Sequence, residues 1–284
     1  LIEQENKLEG KTIVIDEIQK LPKLLDEVHL LIKKYNWKFL LTGSSARKLK
    51  KGGVNLLGGR AWEAHLFPLT FSEIDQFNLL QYLNRGGLPH IYDSSEFAHE
   101  LQNYVNIYLR EEIISESLVK KHEYFMNFLD IIALTNGNEL NFETIGKDAG
   151  VPPRTVQNYL QILEDTLLAY QVRPFKKTTH RKSISKSKVY LFDIGIVNYL
   201  AKRGEIKTDS ETFGFAFEHF IMNEIRAYLS YSAFDLNRVG PFYWRTVDKY
   251  EVDCLIDNKV AIEIKATRSV RKDQRGKIGI AART

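Results

Sequence analysis

Two adjacent acids, Asp16 and Glu17, directly follow a short apolar run and are the first candidates for chemistry. The run, residues 12–15, consists only of apolar or β-branched side chains, which is typical of a strand buried on both faces of a parallel sheet. In such sheets, ligands bind beyond the carboxyl ends of the strands, and an acid pair there suits a nucleotide with its magnesium ion. The alternative is structural: the acids would solubilise a loop or help to start the helix predicted from Pro22.

A second candidate region lies in two runs near the end of the chain, residues 251–256 and 260–266. Both runs alternate between two sets of side chains. Their apolar sets share one face only if Ile256 pairs with Val260 across a three-residue loop, which is a common hairpin length. The alternation therefore predicts a β-hairpin in this register.

That register places Asp253 directly opposite Glu263, with Lys265 on the same face. Opposed residues have Cβ atoms about 5 Å apart, so the two carboxylates could share one cation. The arrangement matches a D…ExK metal-nuclease site, in which Asp253 and Glu263 would bind magnesium or manganese and Lys265 would position or deprotonate a bound water. The alternative is a solvated hairpin face on which Lys265 only neutralises Glu263.

The elements around the first acid pair are expected to place more polar groups beside it. Pro22 fits the first turn of a helix, and apolar residues follow it at helical spacing. A second apolar strand, residues 37–41, then leads into Thr42 and Ser44. The pattern predicts strand, helix and strand, with polar groups leaving both strands at one edge of the sheet.

Several stretches in this order resemble a known protein family. The Walker B strand of AAA-type ATPases is similar to IVIDEIQKLP, and their sensor 1 strand is similar to KFLLTGSSARKL. The following segments, LLGGRAWEAHLFPLTFSEI and GGLPHIY, are similar to a prokaryotic AAA-type ATPase family that carries a PD-(D/E)xK nuclease-like domain at its C-terminus. The resemblance extends over nearly the whole chain.

The resemblance implies roles for the polar residues of the first region, with ATP and magnesium as cofactors. Asp16 would hold the magnesium ion and Glu17 would polarise the attacking water. Thr42 or Ser44 would sense the γ-phosphate. Arg60 would supply positive charge to the transferred phosphoryl group, as an arginine finger does.

The same resemblance adds Glu218 to the nuclease-like site of the second region.

The resemblance also shows which ATPase motif is missing from this chain. The phosphate loop of such ATPases, G-x-x-x-x-G-K-[ST], precedes a helix. Residues 10–12 read Gly-Lys-Thr, but Glu5 replaces the first glycine and a strand is predicted to follow. We therefore expect a fragment whose phosphate loop lies upstream of Leu1, which binds ATP poorly, and whose nuclease-like fold is truncated near Thr284.

Residues 139–193 have the pattern of a winged helix. A helix over 142–149 and a second helix over 154–164 are joined by a turn that contains Gly150, and two β-rich stretches follow. Four side chains near the start of the second helix are expected to contact DNA: Arg154, Thr155, Gln157 and Asn158. Winged helices also act as protein–protein modules, so this alternative stays open.

A basic run over residues 176–188 would form the wing. It contains six Lys or Arg residues and no acid, which favours contact with nucleic-acid phosphates. The predicted DNA-binding residues here are Lys176, Lys177, Arg181 and Lys182. The alternative is a solvated loop without a polyanionic partner.

The composition places the chain among ordinary globular proteins. It has 284 residues, 44% apolar and 27% charged, and a net charge of +4, which is too small to prove a polyanionic partner. No apolar run approaches the roughly 20 residues that span a bilayer, so no membrane partner is expected. Its one cysteine, Cys254, excludes an internal disulfide and favours the cytoplasm.

The sequence therefore predicts a multidomain α/β protein. The expected regions are residues 1–75, the C-terminal part of an AAA-type ATPase core with a partial parallel sheet; 76–138, a helical lid and linker helices; 139–193, a winged helix-turn-helix; and 194–284, a PD-(D/E)xK nuclease-like α/β domain. One functional hypothesis is an ATPase coupled to a DNA-binding, nuclease-like module. The other is an ATP-independent DNA- or protein-binding regulator in which both sites are vestigial, and a homo-oligomer is compatible with either.

Overall fold

The chain has a mixed α/β architecture. A computed structural model describes residues 11–44, 61–109, 122–175, 186–208, 210–245 and 251–266. The chain divides into two compact units, which comprise residues 1–63 with 162–168 and residues 64–161 with 169–284. A two-stranded sheet lies in the first unit and a five-stranded sheet in the second.

The first unit contains the predicted strand–helix–strand motif. Its elements are β1 (Thr12–Ile15), a short 3-10 helix (Ile18–Lys20), α1 (Leu24–Tyr35) and β2 (Lys38–Leu41). The strands are parallel, and Ile15 pairs with Leu41 at their carboxyl ends. Because both strands end at the same level, the residues that follow them meet at one edge, as predicted.

The prediction that β1 is buried on both faces is wrong for the described residues. Val14 is 60% exposed and its pairing partner Leu40 is 54% exposed. Ile13 and Ile15, which alternate with Val14, are half-buried. No described element covers the Val14 face, so the apolar run reflects a sheet with one open face.

The remaining helices follow the first sheet along the chain, and two strands interrupt them. Along the chain the elements are α2 (Leu79–Arg85), α3 (Pro89–Tyr92), α4 (Phe97–Asn103), a π-helical turn (Tyr104–Leu109), α5 (His122–Thr135), α6 (Phe142–Ala149), α7 (Pro153–Asp165), β3 (Ala169–Pro174), β4 (Lys188–Leu191), α8 (Ile194–Leu200), α9 (Glu211–Tyr231), α10 (Leu236–Val239), β5 (Phe242–Arg245), β6 (Glu251–Ile256) and β7 (Val260–Ile262). Within the ranges that the structure describes, no helix combines the length and the apolar character needed to cross a bilayer.

Helices α6 and α7 lie where the sequence predicts two helices joined by a turn. Their separating turn contains Gly150, and α7 buries the four apolar side chains that the spacing assigns to the core: Val156, Tyr159, Leu160 and Leu163. Helix α5 packs against α7 through Phe125, whose ring lies edge-on to Tyr159 with the centroids 4.9 Å apart. The amphipathic pattern therefore predicts this packing correctly.

The five-stranded sheet has the order β4-β3-β5-β6-β7. Strands β3 and β4 are antiparallel, β3 and β5 are parallel, and β5, β6 and β7 are successively antiparallel. Met222 of α9 joins an apolar cluster on this sheet with Tyr170, Tyr190, Tyr243 and Cys254. The two strands predicted as part of a winged helix thus belong to the same sheet as the predicted C-terminal hairpin.

A buried carboxylate ties the Gly86-Gly87 turn to the start of α8. Asp193 is 1% exposed, and its carboxylate accepts hydrogen bonds from the N–H groups of Gly87 (2.7 Å) and Ile196 (3.1 Å). At Gly86, which has φ of 83°, a Cβ atom would lie 2.1 Å from an oxygen of Asp193. Glycine at position 86 is therefore favoured by close packing as well as by backbone conformation.

Candidate functional site

The carboxyl ends of β1 and β2 bring Asp16 and Thr42 into contact. The Thr42 hydroxyl donates a hydrogen bond to the Asp16 carboxylate. The Glu17 N–H donates in turn to the Thr42 hydroxyl at 3.3 Å, and the Ile18 N–H donates to the Thr42 carbonyl at 3.0 Å. Strand pairing thus continues one step beyond the sheet and aligns the acid of one strand with the hydroxyl of the other.

Glu17 lies in a strained backbone conformation beside this pair. Its φ of 54° and ψ of 46° are in the left-handed region, which costs a residue with a side chain about 1–2 kcal/mol. Such strain often accompanies functional positions, because the surrounding structure must impose it. It turns the backbone away from the strand direction immediately after Asp16.

Gln19 holds the Glu17 side chain and is a residue that the sequence analysis missed. It is 4% exposed, and its side-chain amide donates to the Glu17 carboxylate and, at 3.1 Å, to the Ser44 hydroxyl. A Cβ at Gly43 would lie 2.3 Å from its Oε1 atom, so a larger residue there would displace the Gln19 amide. Two sequence features were available as signals: Gln19 is a polar residue two positions after Glu17, and Gly43 follows the second strand.

The polar groups at this edge suit a magnesium-bound nucleotide. The Asp16 carboxylate is exposed, and the Thr42 and Ser44 hydroxyls are half-buried. Oxygen donors of this kind are the ligands that Mg²⁺ prefers, and Mg²⁺ usually needs only one or two protein ligands beside phosphate oxygens. The structure therefore brings together Asp16, Glu17, Thr42 and Ser44, while Arg60 lies outside the described residues.

The C-terminal hairpin has the register predicted from its alternation. Ile256 pairs with Val260, Leu255 with Ala261, and Cys254 with Ile262. Beyond β7, the Ile264 N–H donates a 2.7 Å hydrogen bond to the Asp253 carboxylate. The chain therefore continues alongside Asp253.

Two carboxylates near this hairpin, Glu263 and Glu218, are each paired with a lysine. Lys265 Nζ lies 2.6 Å from Glu263 Oε1. Glu218, on α9, accepts a 2.7 Å hydrogen bond from the Tyr190 hydroxyl and lies 3.6 Å from Lys188 Nζ. In both pairs, a positively charged lysine lies beside a carboxylate that is predicted to belong to a nuclease-like site.

Lys188 is the second residue that the sequence analysis missed in this role. It is 7% exposed and its Nζ lies 2.7 Å from Glu251 Oε1, in addition to its contact with Glu218. Burial alone lowers the pKa of this lysine, but Glu218 and Glu251 together raise it above its ordinary value. The sequence hides this role, because Lys188 is the last member of a basic run expected to be a surface wing.

The four predicted residues of this region interact electrostatically. Burial raises the pKa of Asp253 to about 6; the negative charges of Glu218 and Glu263 add to the shift, and the Ile264 N–H and Lys265 oppose it. For Lys265, burial lowers the pKa, but the hydrogen bond to Glu263 and the charge of Asp253 raise it overall. Asp253 is thus a half-buried carboxylate in a cluster where negative charge is unfavourable.

Within the described ranges, no group of three or more His, Cys, Asp or Glu side chains is arranged to hold a metal ion. Glu263 and Glu218 each direct one oxygen to a lysine of the chain itself. The predicted metal ligands Asp253 and Glu263 are close in the fold, but they do not form a metal centre in this arrangement.

The predicted DNA-contacting side chains of α7 lie on its first turns. Arg154, Gln157 and Asn158 are exposed and Thr155 is half-buried. Arg154 donates a 3.2 Å hydrogen bond to the Gln157 side chain. The wing residues predicted to bind DNA, Lys176, Lys177, Arg181 and Lys182, lie outside the part of the chain that the structure describes.

Comparisons with family models divide the chain into three matched segments. Residues 1–75 match an AAA domain, residues 76–207 match a domain of unknown function (DUF8612), and residues 213–282 match another domain of unknown function (DUF4143). The first match supports an AAA-type ATPase-like region at the N-terminus, consistent with the use of ATP and magnesium.

Curated relatives match most of this chain at low identity. An uncharacterized protein of Mycobacterium tuberculosis is 22% identical over 90% of this chain and 58% of its own length. An uncharacterized protein of Methanocaldococcus jannaschii is 25% identical over 89% of this chain and 60% of its own length, and one of Haemophilus influenzae is 23% identical over 67% and 53%. The chain spans less than two thirds of each relative. No solved structure matches it.

Proposed function

We propose that residues 11–44 provide the acidic edge of an AAA-type ATP-hydrolysing site. The observation that carries this proposal is the contact of Asp16 with Thr42 at the carboxyl ends of two parallel strands, with Glu17 directly beside them. The match of residues 1–75 to an AAA domain supports it. The natural protein that contains this chain would accordingly be an ATP hydrolase.

The side chains at this edge have separate roles in the proposal. Asp16, oriented by the Thr42 hydroxyl, would hold the magnesium ion, and Ser44 would donate to the nucleotide. Glu17 would orient and polarise a water molecule. To do so, its carboxylate must replace the hydrogen bond that it accepts from Gln19 with one from the water. Bound Mg–ATP supplies the phosphoryl group that is transferred to this water.

Replacement of Glu17 tests the proposal most directly. In the natural protein, we expect Glu17→Gln to lower ATP hydrolysis by about 10²- to 10⁴-fold, the usual contribution of a positioned acid–base group, while ATP binding persists. Phosphate release and nucleotide affinity are the two measurements. Glu27→Gln, which changes an exposed acid on α1, is the matched control and should leave both unchanged. A natural protein that does not bind ATP would refute the proposal.

We propose as a second candidate that the C-terminal region is a DNA-binding, nuclease-like module. The mutual influence of Glu218, Asp253, Glu263 and Lys265 favours this candidate. The exposed polar side chains at the start of α7 offer a surface for phosphates and base edges. Domain limits at residues 75, 138 and 193 are part of the same proposal.

A metal titration separates this candidate from a regulator with a vestigial site. The experiment is a calorimetric titration of manganese. Binding to the wild-type chain that is lost in Asp253→Ala and retained in Asp257→Ala, which removes an exposed acid in the hairpin loop, would favour the nuclease-like module. Equal or absent binding in wild type and Asp253→Ala would favour the regulator without metal chemistry.

DNA binding is tested through its salt dependence. Replacement of a phosphate-contacting Arg154 by Gln should weaken DNA binding and reduce the slope of log K against log salt by about 1. Arg173→Gln, which removes an exposed arginine from β3, is the matched control. A wild-type chain without salt-dependent DNA binding would leave only the protein-binding form of the regulator.

A further inference from the structure

A cavity of about 720 Å³ lies between α2, α4 and α8 in the second unit. Its volume is in the range of roughly 300–1,000 Å³ that is usual for small-molecule sites. The walls include Arg85 and Phe97 on one side and Asn198 and Arg203 on the other. None of these residues belongs to the two candidate sites described above.

Arg203 contributes an unpaired positive charge to the cavity. Its side chain is half-buried, and it forms no ion pair with any described residue. Its Nη1 atom is buried and has no hydrogen-bond partner within the described part of the chain. Burial without an anionic partner lowers the pKa of this arginine. A guanidinium in these surroundings would be stabilised by an anion in the cavity.

Asn198 lines the same cavity and has a buried acceptor without a partner in the described part of the chain. It is 7% exposed, and its Nδ2 atom donates a 2.7 Å hydrogen bond to the Leu83 carbonyl, which fixes the amide. Its Oδ1 atom is buried and has no partner among the residues that the structure describes. A buried carbonyl oxygen of this kind calls for an N–H or O–H donor.

The segment that carries Arg203 is held in place by hydrogen bonds. The Arg203 N–H donates to the Asn198 carbonyl at 2.9 Å, directly after α8. The Asn84 side chain accepts from the Ile206 N–H at 2.8 Å and donates to the Ile206 carbonyl at 3.1 Å. The backbone that carries Arg203 is therefore fixed to α8 and to Asn84 of α2.

The remaining charged groups do not neutralise Arg203. Arg85 donates to the carbonyls of Tyr92 and Ser94, both at 3.0 Å, and its guanidinium lies 4.8 Å from the centre of the Phe97 ring. Glu205 lines the cavity but is exposed and forms no ion pair with Arg203. Two arginines and one acid thus leave the cavity with an excess of positive charge.

We propose that this cavity binds a small anionic molecule whose acid group pairs with the Arg203 guanidinium. Carboxylates and phosphates share the chemistry that Arg203 requires. The proposal concerns residues 78–205 and is independent of ATP hydrolysis. It assigns a ligand site to the segment that matches a domain of unknown function.

Calorimetry of the chain with two hydroxylated anions tests the proposal. The probes are glycerol 3-phosphate and citrate at constant ionic strength, with glycerol as the uncharged comparison. We expect saturable binding of at least one anion and none of glycerol. Binding of glycerol 3-phosphate alone would identify a phosphate ligand, and binding of citrate alone would identify a carboxylate.

The arginine variants connect the binding to this cavity. Arg203→Gln should lower the affinity for the anion by about 10- to 100-fold, the usual effect of losing a hydrogen bond to a charged group. Arg203→Lys should retain part of the affinity. Lys202→Gln removes a neighbouring positive charge whose side chain is 84% exposed, and it should bind like the wild type. Circular dichroism verifies that each variant is folded.

Two results would overturn the proposal. The first is that neither anion binds to the wild-type chain. The second is that a bound anion keeps its affinity in a folded Arg203→Gln variant, or loses it equally in Lys202→Gln, because the charge would then act from outside the cavity.

Discussion

Asp16 and Glu17, at the end of β1, contact neutral partners, whereas Glu263 and Glu218, near the C-terminal hairpin, are each paired with a lysine. Thr42 and Gln19 donate to the first two acids, and no described lysine or arginine forms an ion pair with either. Lys265 and Lys188 neutralise the other two. The first site therefore keeps its negative charge for an external cation, and the second already contains its own cations.

The two sheets that carry these sites also differ in how deeply their apolar side chains are buried. Val14 and Leu40 leave one face of the β1–β2 sheet open, while Val252 and Cys254 of β6 are 3% and 0% exposed. Charges on a buried sheet need partners more than charges at an open edge, because burial removes their hydration. Burial accounts for the pairing of Lys188, which is 7% exposed, with Glu218, whereas the Lys265–Glu263 pair is more exposed, with Lys265 42% exposed.

Removal of Lys188 should have the largest effect on stability. Lys188→Met leaves Glu218 and Glu251 without their shared cation, which we expect to cost about 2–4 kcal/mol, because breaking a buried ion pair strands the remaining charge. Urea unfolding at neutral pH measures the loss. Lys38→Met, at an exposed position of β2, is the matched control and should change stability by less than about 0.5 kcal/mol. Equal losses of stability in Lys188→Met and Lys38→Met would contradict the difference in charge pairing between the two regions.

The pH dependence of stability isolates the contribution of Asp253. Its pKa in the folded state, about 6, lies above the ordinary value of 3.8, so the folded state binds this proton more tightly than the unfolded state does. The stabilisation is complete below about pH 4 and is lost as the pH rises through about 6.

Comparison with Asp253→Asn measures this contribution. Relative to this variant, the wild type should lose about 2–3 kcal/mol of unfolding free energy between pH 4 and pH 7. Denaturant unfolding of both proteins at several pH values provides the measurement. Parallel stability curves would show that Asp253 titrates normally, and the electrostatic cluster would then be weaker than its geometry indicates.

Matched valine substitutions compare the two sheets directly. Val252→Thr places a hydroxyl group at a position that is 3% exposed and should cost about 1–3 kcal/mol. Val14→Thr makes the same change at a 60% exposed position and should stay within about 0.5 kcal/mol. A large loss at Val14 would mean that its face of the sheet is covered in solution.

Gln19→Ala should produce the smallest effect, localised to the acidic edge. Loss of its hydrogen bonds to Glu17 and Ser44 should cost about 1–2 kcal/mol of local stability. Hydrogen exchange of the Glu17 and Ile18 amides, which are bonded to Thr42, should then accelerate by about 5- to 30-fold. Gln157→Ala, on exposed α7 surface, should leave these amides unchanged. Unchanged exchange in Gln19→Ala would show that Gln19 does not hold this edge.

Patterns of short range predicted much of the fold. Alternation in residues 251–266 predicts the pairing of Ile256 with Val260, which the structure confirms. Helical spacing predicts α1 and the buried side of α7, including Val156. These features repeat every two or about 3.6 residues, so the local sequence contains the whole signal. The same signal did not predict the open face of β1, because an apolar run does not reveal how many layers pack on it.

The sequence by itself determined the strand–helix–strand order and the hairpin register. Only the tertiary structure decided that β3 pairs with β5, that Lys188 neutralises Glu218, and that Gln19 bridges the ends of two strands. The physical reason is distance along the chain: each of these contacts joins segments whose meeting depends on the packing of all the elements between them. The unpaired Arg203 became visible for the same reason, because a missing partner can be recognised only when the neighbours are known.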